Sequence, residues 1–152
     1  MKCVRILAAA LLLGAGGIAS AADTDAQFRL NELLSDEQYR EAWQEVIEDE
    51  SRLPEWVMNL SGEAQPMKAL EDDGDKFLVG KLCEPQQCFN QRLYAAFTWD
   101  KQRAYGLMVE VPTGLPKDKA PSGHATFRWL GEPDEAVKRL LQEQLKDDPN
   151  WF

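Results

Sequence analysis

Residues 76–99 read KFLVGKLCEPQQCFNQRLYAAFTW, and two strands with a short connection between them can be read straight from that stretch. Lys76 to Cys83 carries Phe77, Leu78, Val79 and Leu82, and Arg92 to Trp99 carries Leu93, Tyr94 and Phe97. Short apolar runs of this kind, bounded by turn residues, are strand signals. Upstream, Met67 to Glu71 is a further strand candidate, and Asp72-Asp73-Gly74-Asp75 supplies the Asp-Gly signal of a tight hairpin. Downstream, Asp100 to Arg103 forms a turn into a strand over Ala104–Val111. Pro112 to Gly123, with three Pro and two Gly, reads as a long loop before a last strand over Ala125–Leu130. Five consecutive strands joined by short turns pair antiparallel, because parallel neighbours need crossovers.

Helices lie outside this block. Tyr39, Ala42, Trp43, Val46 and Ile47 recur at the spacing of one buried helical face, while Glu41, Glu45 and Glu48 fall on the other. Ser35, with Gln38 at capping-box distance, is expected to open this helix, which should stop near Glu50. Pro54 is placed to start a short turn that packs Trp56 and Val57 on the core. At the other end, Pro133 or Asp134 opens a helix with Ala136, Val137, Leu140, Leu141 and Leu145 on its apolar face, closed by Asp147-Asp148-Pro149. Helices segregated from a run of strands give an α+β fold: a central antiparallel sheet of about five strands with flanking N- and C-terminal helices.

Residues 1–22 follow a different pattern. Lys2 and Arg5 precede an apolar run from Ile6 to Ile18, and Ala19-Ser20-Ala21-Ala22 supplies small residues for cleavage. This is the pattern of a secretory signal peptide, expected to be cleaved after Ala21 or Ala22, and the alternative of an uncleaved anchor is disfavoured because the apolar run is too short to span a bilayer comfortably. The expected division is 1–22 signal peptide and 23–152 a single domain, periplasmic and free of the membrane after cleavage. Cys3 leaves with the signal. The chain has 17 Lys+Arg and 26 Asp+Glu. Removing Lys2 and Arg5 leaves 15 against 26, a net charge of −11. No basic stretch could neutralise phosphates, so nucleic-acid binding is excluded. A single His and no Cys/His cluster argue against a zinc centre, and no cofactor is expected. With 44% hydrophobic residues the chain has enough apolar content for a core.

Cys83 and Cys88 are the two cysteines left, and in an oxidising compartment they have only one pairing. Their disulfide would close a six-residue ring at a hairpin tip and freeze Glu84, Pro85, Gln86 and Gln87. A frozen, protruding loop binds with a smaller ordering cost. The same spacing also suits a plain hairpin staple with no binding role. A redox role fits poorly, since Cys-x4-Cys at a hairpin is not the Cys-x-x-Cys at a helix start that lowers a thiol pKa.

Leu53-Pro54-Glu55-Trp56-Val57-Met58, then Cys83-x-Pro85-x-x-Cys88 with Gln91-Arg92, then Gly106-Leu107 and Trp129-Leu130, together resemble the inhibitor of vertebrate lysozyme (Ivy) family. The resemblance runs over about residues 28–145. It implies a periplasmic α+β protein whose disulfide loop plugs the active-site cleft of a c-type lysozyme, and it admits a homodimer. It makes Glu84, Pro85, Gln86 and Gln87 the target-binding loop, and no residue catalytic. The typical family loop reads Cys-Lys-Pro-His-Asp-Cys. Here Glu84 stands for the Lys, Gln86 for the His and Gln87 for the Asp. A His can meet cleft carboxylates as a cation, whereas Gln86 can donate only as a neutral amide. Glu84 carries a negative charge toward carboxylates, so weaker inhibition of c-type lysozyme is expected. Net negative charge works the other way by attracting a basic lysozyme at low salt.

Other features carry less. His124 has no nucleophile or orienting acid recognisable by motif. Asp72-Asp73-Gly74-Asp75 lacks the spacing of a calcium loop. Trp43, Trp56, Trp99 and Trp129 fall in helix or strand patterns and read as core, whereas the Trp151-Phe152 tail has no assigned role. With 26 acids, a pair of carboxylates suited to a glycosidase always exists and points to nothing. Two function classes remain: an inhibitor of a lysozyme or of a lysozyme-like lytic transglycosylase, and a structural or chaperone-like envelope protein that keeps the fold without inhibition.

Overall fold

Nine residues, mostly buried from Phe77 onward, Asp75–Cys83 (β3), and eight of nearly continuous burial, Gln91–Thr98 (β4), form the centre of the sheet. The protein is described by a computed structural model over residues 28–152, so the expected signal peptide lies outside the described residues. Lys68–Asp72 (β2) precedes β3, and Ala104–Glu110 (β5) and Thr126–Leu130 (β6) follow β4. Each pairs antiparallel with its successor, as the short connections require. The β2–β3 hairpin turns at Asp73 and Gly74, with φ of 49° and 88°. Both central residues need the left-handed region there, which is why Asp-Gly occupies the turn.

A sixth strand among the described residues was not expected from the sequence. Glu63–Ala64 (β1) pairs with the last residues of β3, Glu63 opposite Cys83 and Ala64 opposite Leu82. Two residues between Gly62 and Gln65 carry no periodicity to read, and β1 is held by register rather than by propensity. Sheet order is β1-β3-β4-β5-β6, with β2 following β1 along the same edge of β3.

The sheet buries both faces. On one side Leu82, Leu93, Ala95, Phe97, Met108 and Leu130 pack against Leu30–Leu33 (α1), Glu37–Glu48 (α2) and Glu55–Met58 (α3). Ala42, Trp43 and Val46 of α2 are buried there, with Tyr39 and Ile47 at the margin, and the Tyr39 ring meets Phe97 edge-on at 5.3 Å. On the other side Val79, Tyr94, Ala96, Leu107 and Val109 pack against Val137, Leu140, Leu141 and Leu145 of Glu135–Lys146 (α4). The N- and C-terminal helices therefore cover opposite faces of an α+β sheet.

Local details correct three expectations. Asp36, not Ser35, caps α2: its carboxylate accepts the Gln38 N–H, while the Ser35 hydroxyl donates back to the Glu32 carbonyl and closes α1. Side by side, the two cap candidates divide the ends of adjacent helices between them. Helix α2 stops at Glu48, slightly before Glu50. Trp99 is 53% exposed rather than core, because it lies past the end of β4 in the turn, with the Lys76 ammonium 3.8 Å above its ring. In the tail, by contrast, Trp151 is buried against the domain and only Phe152 is exposed.

Candidate functional site

The β3–β4 connection is a largely exposed loop whose shape follows from its sequence. Cys83 and Cys88 form a disulfide, with their Cα atoms 4.8 Å apart. Inside the ring, the Gln87 N–H donates to the Glu84 carbonyl at 3.0 Å, closing a four-residue turn. Pro85 fills the second position, where its fixed φ suits the turn, and Gln86 fills the third with φ of 67°. This is the pattern of a type II turn, which demands positive φ at that position. A second turn brings the Asn90 and Gln91 N–H groups to the Gln87 carbonyl, both at 2.9 Å. Pro85, Gln86 and Gln87 are exposed and Glu84 is half-buried, so all four expected loop residues share one rigid tip.

Two side chains outside the ring, Glu63 and Arg92, hold it, and a third, Asn90, anchors the chain that leaves it. Glu63, on β1, accepts the Gln86 N–H at 3.4 Å. Its other carboxylate oxygen lies 3.6 Å from Cys88 Sγ. Beside it Gly62 is obligatory, because a Cβ there would sit 2.1 Å from the Cys83 carbonyl oxygen. Asn90 donates from its side-chain amide to the carbonyls of Val111 and Pro112, at 3.0 and 3.2 Å. Arg92, at the start of β4, donates from Nε to the Cys88 carbonyl at 3.1 Å and from a terminal nitrogen to the Phe89 carbonyl at 3.0 Å.

Arg92 is 1% exposed, and a buried guanidinium needs a partner. Asp148, just past α4, supplies it at 3.1 Å. The same carboxylate oxygen accepts from Lys81 Nζ at 2.5 Å and from the Tyr94 hydroxyl at 3.4 Å. Burial disfavours the Asp148 charge, but the Lys81 hydrogen bond, the Asn150 backbone N–H and the two cations outweigh it and hold its carboxyl below the usual range. Burial, with the Asp148 charge, pushes the Tyr94 phenol well above its ordinary value, so Tyr94 stays neutral.

The tip is electronegative. Among the described residues neither Glu63 nor Glu84 has a cation at ion-pair distance. Glu63, Cys83 and Cys88 cluster closely enough to suggest a metal, but the disulfide consumes both sulfurs and leaves one carboxylate, which is too few ligands for a resident ion. Asp72 and Asp73 meet Arg139, at 3.2 and 3.9 Å, and form the ion-paired end of a hairpin. His124 is exposed at the end of a short helical turn, Pro121–Gly123.

Local sequence does not mark Glu63, Lys81 or Asp148 as site residues, and it marks Arg92 only within the Gln91-Arg92 motif. One signal was available: Arg92 has the same strand parity as Tyr94 and Ala96, so it lies on a buried face and requires an acid from elsewhere.

Comparison with known proteins agrees with this geometry. The pattern of a family described as inhibitor of vertebrate lysozyme (Ivy) matches residues 38–147. That match takes in the sheet, the disulfide loop, Arg92 and α4. A Pseudomonas aeruginosa protein named inhibitor of vertebrate lysozyme is 40% identical, over 99% of both chains. An uncharacterized protein of the same organism is 62% identical over 100% of both, and one of Yersinia pestis is 35% identical over 79% of this chain and 78% of its own. A family match across most of the described domain, together with relatives that align nearly end to end, shows that the chain belongs to the inhibitor of vertebrate lysozyme family.

Proposed function

We propose that this chain is an exported inhibitor, not an enzyme, that presents its disulfide loop to the active-site cleft of a c-type lysozyme or a lysozyme-like peptidoglycan-cleaving enzyme such as a lytic transglycosylase. Residues 1–22 serve as the signal peptide and 23–152 as the periplasmic domain. The absence of any helix long and apolar enough to cross a membrane among the described residues is compatible with this. The observation that carries the reading is the tip Glu84–Gln87, exposed from Pro85 to Gln87 and fixed by a disulfide and by Glu63 and Arg92 from outside the ring. Preorganisation of this kind lowers the ordering cost of binding. Pro85, Gln86 and Gln87 enter the cleft, with the Gln86 amide as neutral donor to its carboxylates.

Two acids at that tip oppose entry into a carboxylate-lined cleft. Inhibition of c-type lysozyme is therefore weaker than for a loop carrying Lys and His at these positions. The same two acids favour a second reading, a periplasmic structural or chaperone-like protein that keeps the fold without lysozyme inhibition. Cell-wall lysis by each enzyme class, with and without purified protein, decides between them. Loop-dependent inhibition of either class supports the first reading, and none at micromolar protein supports the second.

A further inference from the structure

We propose that Arg92 and Asp148 are positioning residues for the loop: Arg92 fixes the carbonyls of Cys88 and Phe89, Asp148 fixes Arg92, and the last five residues of the chain thereby set the pose in which the tip meets its target. The proposal rests on the functional reading above for its link to inhibition, but not for its claim about the loop.

Placement supports this over a purely core role. Arg92 stands directly opposite Cys83 in the β3–β4 register and hydrogen-bonds the carbonyl of Cys88, so both anchors of the ring bear on one side chain. Two of its donors go to carbonyls in the irregular turn between Gln87 and Gln91, outside the strand ladder. The remaining polar contact goes to Asp148. Asp148 is itself placed by the end of α4, whose Leu145 carbonyl accepts its N–H at 3.1 Å. It accepts the Asn150 N–H at 3.0 Å, and its own carbonyl accepts the Trp151 N–H at 3.0 Å. The Trp151 ring lies 5.9 Å from the Arg92 guanidinium and that of Phe89 at 5.7 Å, so tail and loop exit both place an aromatic ring beside the same cation. A lysine would keep the charge opposite Asp148. It would lose the planar fork that reaches two carbonyls and a carboxylate at once.

Arg92→Lys separates these roles, with Lys81→Met as the comparison, because Lys81 shares the Asp148 oxygen without touching the loop. The readouts are hydrogen exchange of the Gln87, Asn90 and Gln91 amides in the oxidised full domain, and inhibition of c-type lysozyme and of a lytic transglycosylase. Arg92→Lys is expected to speed exchange at those amides at least tenfold while Ala95 and Phe97 are unchanged, and to weaken inhibition by a similar factor. Lys81→Met should leave the loop amides at the wild-type rate. If Arg92→Lys does not fold, Asp148→Glu, which keeps the charge but displaces it from the Arg92 guanidinium, carries the same comparison. Unchanged loop exchange in the Arg92 or Asp148 variant overturns the proposal, as does faster exchange with undiminished inhibition. Wild-type protein that inhibits neither enzyme removes the functional reading alone, and the exchange rates still decide whether Arg92 and Asp148 position the loop.

Discussion

Replacing Asp148 by Asn should be among the most damaging conservative changes in the protein. The carboxylate side chain is 5% exposed and holds a guanidinium that is 1% exposed. Asparagine keeps the size and one oxygen but removes the charge, and it can turn an NH2 toward two cations. Breaking a buried pair by removing one partner costs about 3–5 kcal/mol. The lower end, about 3 kcal/mol, applies here, since Lys81 is 22% exposed and returns to water when its partner is lost. For a domain of this size that is a fall in Tm of about 12 °C. Urea unfolding followed by circular dichroism, with Arg92→Met/Asp148→Leu alongside, measures it. The double variant should cost less than Asp148→Asn, because no uncompensated guanidinium remains. pH supplies a second signature. The folded carboxyl titrates below its ordinary value of 3.8, so its contribution is complete above that value and is lost as pH falls through the lower folded one. The gap between wild type and Asp148→Asn must therefore narrow in that acid range. A difference under about 1 kcal/mol at pH 7, or a gap that widens with acid, would refute this account of the network.

Three further outcomes follow from the loop. Gln86 holds a left-handed φ of 67°, so Gln86→Asn, which tolerates that region better, should stabilise the oxidised protein by up to about 1 kcal/mol in urea melts. A Cβ at Gly62 would collide with the Cys83 carbonyl oxygen, so Gly62→Ala should lower stability by about 2–4 kcal/mol by the same measurement and shift the Cys83 and Glu63 amide resonances. Glu84→Lys with Gln86→His removes like charge and restores a cationic donor. It should strengthen inhibition of c-type lysozyme at least tenfold in a lysis assay, about 1.4 kcal/mol, and more at low salt.

Legibility in the sequence followed physical cause. Strands β3, β4 and β5 could be read as apolar runs bounded by turn chemistry, β6 from its Phe and Trp between loop signals, and β2 chiefly from the Asp73-Gly74 turn that follows it. Helices α2 and α4 could be read from their apolar stripes. Strand β1 could not, because its two residues exist through pairing with Cys83 and Leu82, not through any local preference. The Trp99 ring was misplaced by one residue of strand length. In the loop, Pro85 between two cysteines foretold a rigid tip, yet nothing local could reveal Glu63, 23 positions before Gln86, or Asp148, 56 positions after Arg92. Long-range polar partners leave no periodicity. They leave only a charge in an apolar strand.

If the stapled tip is the inhibitory element, opening its ring must weaken inhibition. The most direct test titrates oxidised protein and its Cys83→Ser/Cys88→Ser form into cell-wall lysis by a c-type lysozyme and by a lytic transglycosylase. Opening the ring removes about 2 kcal/mol of loop-closure stabilisation, so circular dichroism establishes that the double variant is folded before it is assayed. Inhibition of one of these enzymes by the wild type, weakened at least tenfold in the double variant, is the predicted result. No inhibition of either at micromolar protein, or equal inhibition by the two forms, would contradict it.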